Sequence, residues 1–417
     1  MKPLAWSVLL PWVAIAASPT FHRDVAPILQ KHCQTCHRPG EAAPMSLLTY
    51  KETRPWAKAI RESVVTRRMP PWHADPTIGK FSNTRQLTDA EVETIRAWTD
   101  QGSREGSIKQ APKPLTFIDG WAISRPDLIF EMPVDFEVPN KGELDYMHFA
   151  VPTNFAEDRW IQEMEVRPGN RAVVHHIGVY LRPKGSKWLP QLKAGEGVPI
   201  TNRSGTRGPA DELFAQYVPG GPAQKFPEGQ ARLIPAGAEL IFQLHYQPNG
   251  KPGKDRSRIG LVFAKTPVRE RIHTIAVGNP TFVIPPGAPD HPVEANWPFL
   301  APARVLSIIP HMHLRGKSFD CWMKWPDGRI EPVIRVPQFN RNWQIEYQLA
   351  QPLEVPVKSR MGCKAIFDNS PNNPWNPDPK AEVRWGDQTR DEMMVAYVDI
   401  AVPAASDPFT TIYRYKK

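Results

Sequence analysis

Forty-seven prolines and 26 glycines are spread through the 417 residues, so few stretches run far enough without a breaker to hold a long helix. This punctuation predicts many turns and short elements, with β-structure over most of the length. The runs between breakers are rich in Val, Ile, Phe and Tyr, as in Leu128 to Phe136, Tyr146 to Val151, Ala172 to Leu181, Leu240 to Tyr246, Ile259 to Phe263 and Arg304 to Ile309. Short strands at such spacing indicate sandwiches. Roughly 300 residues of this kind exceed one sandwich. The proline-rich stretch Ile284 to Pro289 is the expected seam, dividing a first β-sandwich over 120–285 from a second over 286–417. Asn369 to Lys380, dense in Asn and Pro, reads as a long loop.

The N-terminus has the three parts of a secretory signal over 1–17: Lys2, an apolar stretch from Pro3 to Ile15, and the small residues Ala14, Ala16 and Ala17. No later stretch approaches the roughly 20 apolar residues of a membrane helix. The expectation is a soluble exported protein, periplasmic or secreted, without a transmembrane segment once mature. The formal charge of +9 is a mild excess, with no run of five basic residues and no interleaved aromatics, which argues against nucleic-acid binding.

Residues 18–104 read as a separate helical domain, followed by a polar linker over 105–119. A helix over 22–37 carries Val25, Ile28 and Leu29 and ends at Cys33-Gln34-Thr35-Cys36-His37. Two thiols three positions apart can attach the vinyl groups of a haem while the adjacent imidazole reaches its iron. A redox dithiol or half of a zinc site is the competing reading of Cys33 and Cys36. Met69, in a stiff loop before Pro70 and Pro71, is the candidate sixth ligand, with Met45, His73 or water as alternatives. A second helix opens at Thr88 with Glu91 three residues on, presents Val92, Ile95 and Trp98, and stops at Gly102. On Cys33, Cys36, His37, Met69 and the Trp98 helix, residues 21–103 resemble a class I cytochrome c. The resemblance implies a small all-α cytochrome c domain with one covalently bound haem c, serving electron transfer.

Downstream lie six soft-metal ligand candidates. His311-Met312-His313 puts two imidazoles on one face of a strand, and Met393 offers a thioether that selects copper among the metals imidazole accepts. His175 and His176 are adjacent, so joint ligation requires a strand end or a bulge. His245 stands alone in an apolar strand. Taken singly, His175 and His176 read at least as well as one core and one surface residue, and His245 as a satisfied strand histidine. Met394 rivals Met393, because a one-residue slip along a strand reverses the face. Cys321 and Cys363 can form a disulfide, or one can serve as a copper-related thiol.

The succession His175-His176, His245, His311-x-His313 and Met393 resembles the type II copper, ascorbate-dependent monooxygenases, the family of peptidylglycine alpha-hydroxylating monooxygenase and dopamine beta-monooxygenase, over roughly residues 120–400. Gln243 and Tyr397 match further family positions. The resemblance implies two sandwiches facing each other across a solvent-filled cleft. His175, His176 and His245 would hold an electron-transferring copper, and His311, His313 and Met393 the copper at which O2 reacts and a C–H bond is hydroxylated. The chain departs from the family at Ile309, where the peptide-acting member has a substrate-binding arginine, and at Met394, where members have a cysteine. The first departure argues against a C-terminal glycine peptide as substrate.

The combined expectation is a multidomain chain, a small all-α cytochrome c domain followed by two all-β jelly-roll-like sandwiches. It would act as an exported haem- and copper-containing monooxygenase on a small organic substrate and O2. Its two copper ions would be supplied with electrons by the haem, a periplasmic donor, or ascorbate or another external reductant. The competing reading is a non-catalytic periplasmic copper and electron-transfer protein with a β-sandwich binding module. A third, a sugar-binding sandwich, leaves the histidines incidental.

Overall fold

The structure, a computed structural model, describes residues 18–41, 43–118, 120–199 and 212–406. The expected signal segment lies outside the described residues. The chain forms two compact units. The described part of the first runs over 18–39, 43–70 and 86–115. Its helices are α1 (Ala26–His32), α2 (Tyr50–Thr53), α3 (Ala57–Val65) and α4 (Asp89–Asp100). Helix α4 starts where the sequence places it. The Thr88 hydroxyl accepts from the Glu91 amide while the Glu91 carboxylate accepts from the Thr88 amide, satisfying two donors that a helix start leaves open. Ile95 and Trp98 are buried against Phe21, Val25 and Leu29, and Gly102, at φ +92°, follows the last turn.

The expected fold class is corrected. Among the described residues strands make up 37% and helices 11%, only α3 and α4 exceed two turns, and there is no all-α cytochrome domain. The physical reason lies in the segment that should complete one. Residues Pro71–Arg85 belong to the second unit, where the Trp72 and Phe81 rings pack on Tyr347 at 4.9 Å and 5.5 Å and Phe81 bridges Leu349. Nor are the β regions two separate sandwiches. A single nine-stranded sheet runs through both, in the order Leu128–Glu131, Arg258–Phe263, Arg159–Arg167, Gln230–Ile234, Glu270–Gly278, Val395–Pro403, Ala303–His311, Tyr347–Val355, with Gln224–Lys225 beside Arg159–Arg167. Strand Glu270–Gly278, on the early side of the expected seam, pairs along its whole length with Val395–Pro403 on the late side.

Two smaller sheets cover this shared sheet and make two lobes. Met147–Pro152, Glu239–Tyr246, Val174–Arg182, Gly197–Pro199 and Leu213–Tyr217 form one; His291–Pro298, Arg360–Phe367, Gly316–Lys324 and Ile330–Val336 form the other. Cys321 and Cys363 sit opposite each other in the second and are disulfide-bonded, which settles the pairing left open by the sequence.

Side-chain parity sets what faces what. In Glu239–Tyr246 the residues Leu240, Phe242, Leu244 and Tyr246 enter the first lobe's core, each worth about 1.5–3 kcal/mol on burial. The alternate face carries Ile241, Gln243 and His245. Ile241 joins Ala150, Tyr180, Leu213, Ile309, Met393, Val395 and Tyr397 in a separate apolar cluster, where the first lobe meets the second. Both faces of this strand are covered, so its sequence runs nearly continuously apolar instead of alternating.

Candidate metal centres

The first centre is built by strand pairing. His245 lies directly opposite His176, and the register then slips so that Tyr246 opposes Val174, leaving His175 as the extra residue of a bulge. A bulge of this kind turns the extra side chain to its neighbour's face, which is the device two adjacent histidines need. The ligand nitrogens of His175, His176 and His245 all lie within 4.8 Å of one another. Their ring centroids are 5.0 to 5.2 Å apart. His245 Nδ1 is buried with no hydrogen-bond partner. Burial, and in second place the Arg341 charge, lowers the His175 pKa to about 4. Burial lowers His245 to about 3, and holds His176 well below its ordinary value. All three imidazoles are thus neutral at pH 7, the form that ligates metals.

The second centre is held by side chains from distant segments. His311 ends its strand and His313 follows in the turn. A carbonyl oxygen can only accept, so His311 Nδ1 donates to Gln344 Oε1 and His313 Nδ1 donates to the Asp391 carbonyl at 3.1 Å. Both proton-free Nε2 atoms then face each other at 3.3 Å, two lone pairs in repulsion unless a cation lies between or beside them. The turn is fixed by Glu392, fully buried, whose carboxylate accepts from the backbone amides of His313 and Arg315 at 2.9 Å and 2.6 Å. Burial pushes that carboxyl up to about 8 against the opposing pull of these amides. Arg315 extends the clamp, donating to Asn369 Oδ1 and the Arg390 carbonyl.

Met393 lies in the interlobe cluster with Ile309 and Tyr397, and the Tyr397 ring is 6.0 Å from His311. Met394 points the other way, into the second lobe's core beside Met312. Parity thus puts Met393 rather than Met394 on the His311 face. Ile309 is buried in the same apolar contact. Gln243 shares the face of His245 and reaches across it. Its amide nitrogen is 2.8 Å from His148 Nε2 and its oxygen accepts from the Tyr180 hydroxyl, which lies 3.5 Å from that of Tyr397.

Tyr146 stands between the two centres. Its buried ring is 4.8 Å from His245, 5.5 Å from His176 and 6.4 Å from His313. A cavity of about 170 Å³ is lined by Tyr146 together with His175 and His245 of one centre and His313 of the other. The open cleft that the family resemblance implies is here a packed interlobe contact with a small cavity. Sequence reasoning missed Tyr146, Gln344 and His148 and used Glu392 only as a neighbour of Met393. A buried acid adjoining a candidate ligand was the one available signal.

In the helical unit, Cys33 follows α1, and the amides of Cys36 and His37 donate to the Cys33 carbonyl in a closing turn. Neither cysteine is disulfide-bonded, and burial pushes the Cys33 thiol up to about 12. Burial also lowers the His37 pKa. Two thiols in one turn beside an imidazole are a donor set that fits a covalently attached haem. Met45 packs against the same core as Cys33, and Met69 is half-buried before the cis Met69–Pro70 bond.

No family model and no curated protein matches the chain. Among solved structures, the infectious bursal disease virus VP2 subviral particle aligns over 70% of this chain and 76% of its own at 9% identity with a TM-score of 0.20. The structure of the Gx strain of that virus aligns over 70% and 77% at 8% identity, also at 0.20. Likeness at that level carries no argument about this chain. No helix among the described residues is long and apolar enough to cross a membrane.

Proposed function

We propose that the chain is an exported copper monooxygenase that hydroxylates a small organic substrate with O2. His175, His176 and His245 hold one copper, and His311, His313 and Met393 the other. The observation that carries the reading is the convergence of ring nitrogens from both histidine sets beside one cavity, with the Nδ1 atoms of the second pair already committed as donors. The three-histidine set accepts copper or zinc; the thioether on the His311 face is what selects copper. Copper there supplies one-electron redox chemistry and O2 activation, which no side chain in the cavity provides.

The protein's own groups do the positioning. Gln344, the Asp391 carbonyl and Glu392 fix the His311 and His313 rings, while Tyr146 separates the two sets. The interlobe apolar cluster excludes water from the His311 face. Electrons come from ascorbate or another external reductant, or from a haem on Cys33 and Cys36 with His37 as its axial ligand. The haem assignment rests on the donor set alone, with Met69 the sequence candidate for the remaining position.

Copper-loaded protein supplied with reductant and a panel of small organic compounds should consume O2 and return one hydroxylated product per O2, and His313→Ala should abolish product. Stable binding of copper with no O2 uptake on any compound would instead identify a non-catalytic copper and electron-transfer protein.

A further inference from the structure

Arg341 is the one cation lining the cavity that holds both histidine sets, and among the described residues its guanidinium has no hydrogen bond and no ion pair. Its Nε is buried and unpartnered. Its Cζ lies over the Trp375 ring, 4.4 Å from the centroid, Trp375 being an exposed residue of the 369–380 loop. A cation–π contact of this kind leaves guanidinium N–H groups available to other acceptors. The acid lining the cavity, Glu143, acts on Arg341 electrostatically without forming an ion pair with it.

We propose that the Arg341 guanidinium is the recognition group for a small monocarboxylate, and, resting on the proposed reading of the metal centres, that this carboxylate is carried by the substrate. A planar carboxylate matches the donor edge with two parallel hydrogen bonds. The apolar body of the molecule lies against Tyr146, toward His313. Glu143 admits one negative charge beside Arg341 and opposes a second, which disfavours phosphate.

The test uses the full chain stripped of metal, so that its readout is independent of turnover. Binding of benzoate, the neutral isostere benzamide and inorganic phosphate is measured by calorimetry on the wild type, Arg341→Gln and Arg341→Lys. Benzoate should bind wild type about tenfold or more tighter than benzamide, as expected of a charge-assisted pair. Arg341→Gln should bring benzoate to the level of benzamide, and Arg341→Lys should recover part of the loss. Equal benzoate affinity in wild type and Arg341→Gln, no benzoate binding, or phosphate binding as tightly as benzoate would overturn the proposal. Copper bound by the same proteins after reloading separates it from the reading it rests on. Two coppers without Arg341-dependent benzoate binding removes this inference alone; Arg341-dependent binding without copper removes the metal reading alone.

Discussion

The two histidine centres share a cavity but are held by different means. In the first, the backbone does the work: the His176–His245 pairing and the one-residue slip at His175 bring three rings together with no outer acceptor required at His245. In the second, the strand ends at His311 and His313 lies in the turn that follows. Gln344, the Asp391 carbonyl and Glu392, contributed by segments 33 to 79 residues away, set the ring orientation and the turn. A centre fixed by register should tolerate changes around it and fail only when a ligand goes. A centre fixed by side-chain hydrogen bonds should respond to each of them.

The largest effect is expected from His245→Ala, which should empty the first centre and remove one copper per chain while the second still fills, read by elemental analysis. Loss of both coppers would mean that the centres are not independently built. Next comes Glu392→Ala, which strands two buried amides and should cost about 2–5 kcal/mol in chemical denaturation. It should weaken the second centre and spare the first. Gln344→Leu should weaken copper at the second centre about 10–100-fold by competitive titration and leave the first unchanged. An equal loss at both would erase the contrast. The smallest effect belongs to Met394→Leu, at most about 1.5 kcal/mol of stability with no change in metal binding. Met393→Leu should instead remove the sulfur signal from the X-ray absorption spectrum of the reduced second centre.

Local patterns were legible in the sequence, and long-range pairing was not. Thr88 and Glu91 announce the start of α4 because capping acts over three residues. Joint ligation by the adjacent His175 and His176 required a strand end or a bulge, and a bulge is there. Nothing local records that Glu270–Gly278 pairs with Val395–Pro403, more than 100 residues on. The cytochrome class failed for a similar reason: Trp72 and Phe81 look like loop residues of a helical domain until Tyr347 supplies their partner. Met393 could be separated from Met394 only once the strand's facing was known. Tyr146 carries no motif at all, and only the meeting of the lobes gives it three histidine neighbours.

The central claim is that both centres hold copper. Its most direct test is equilibrium dialysis of the metal-free chain against copper and zinc together under reducing conditions, with bound metal counted. The account expects two coppers per chain and no zinc at the second centre. One copper or none, or zinc in both places, would contradict it.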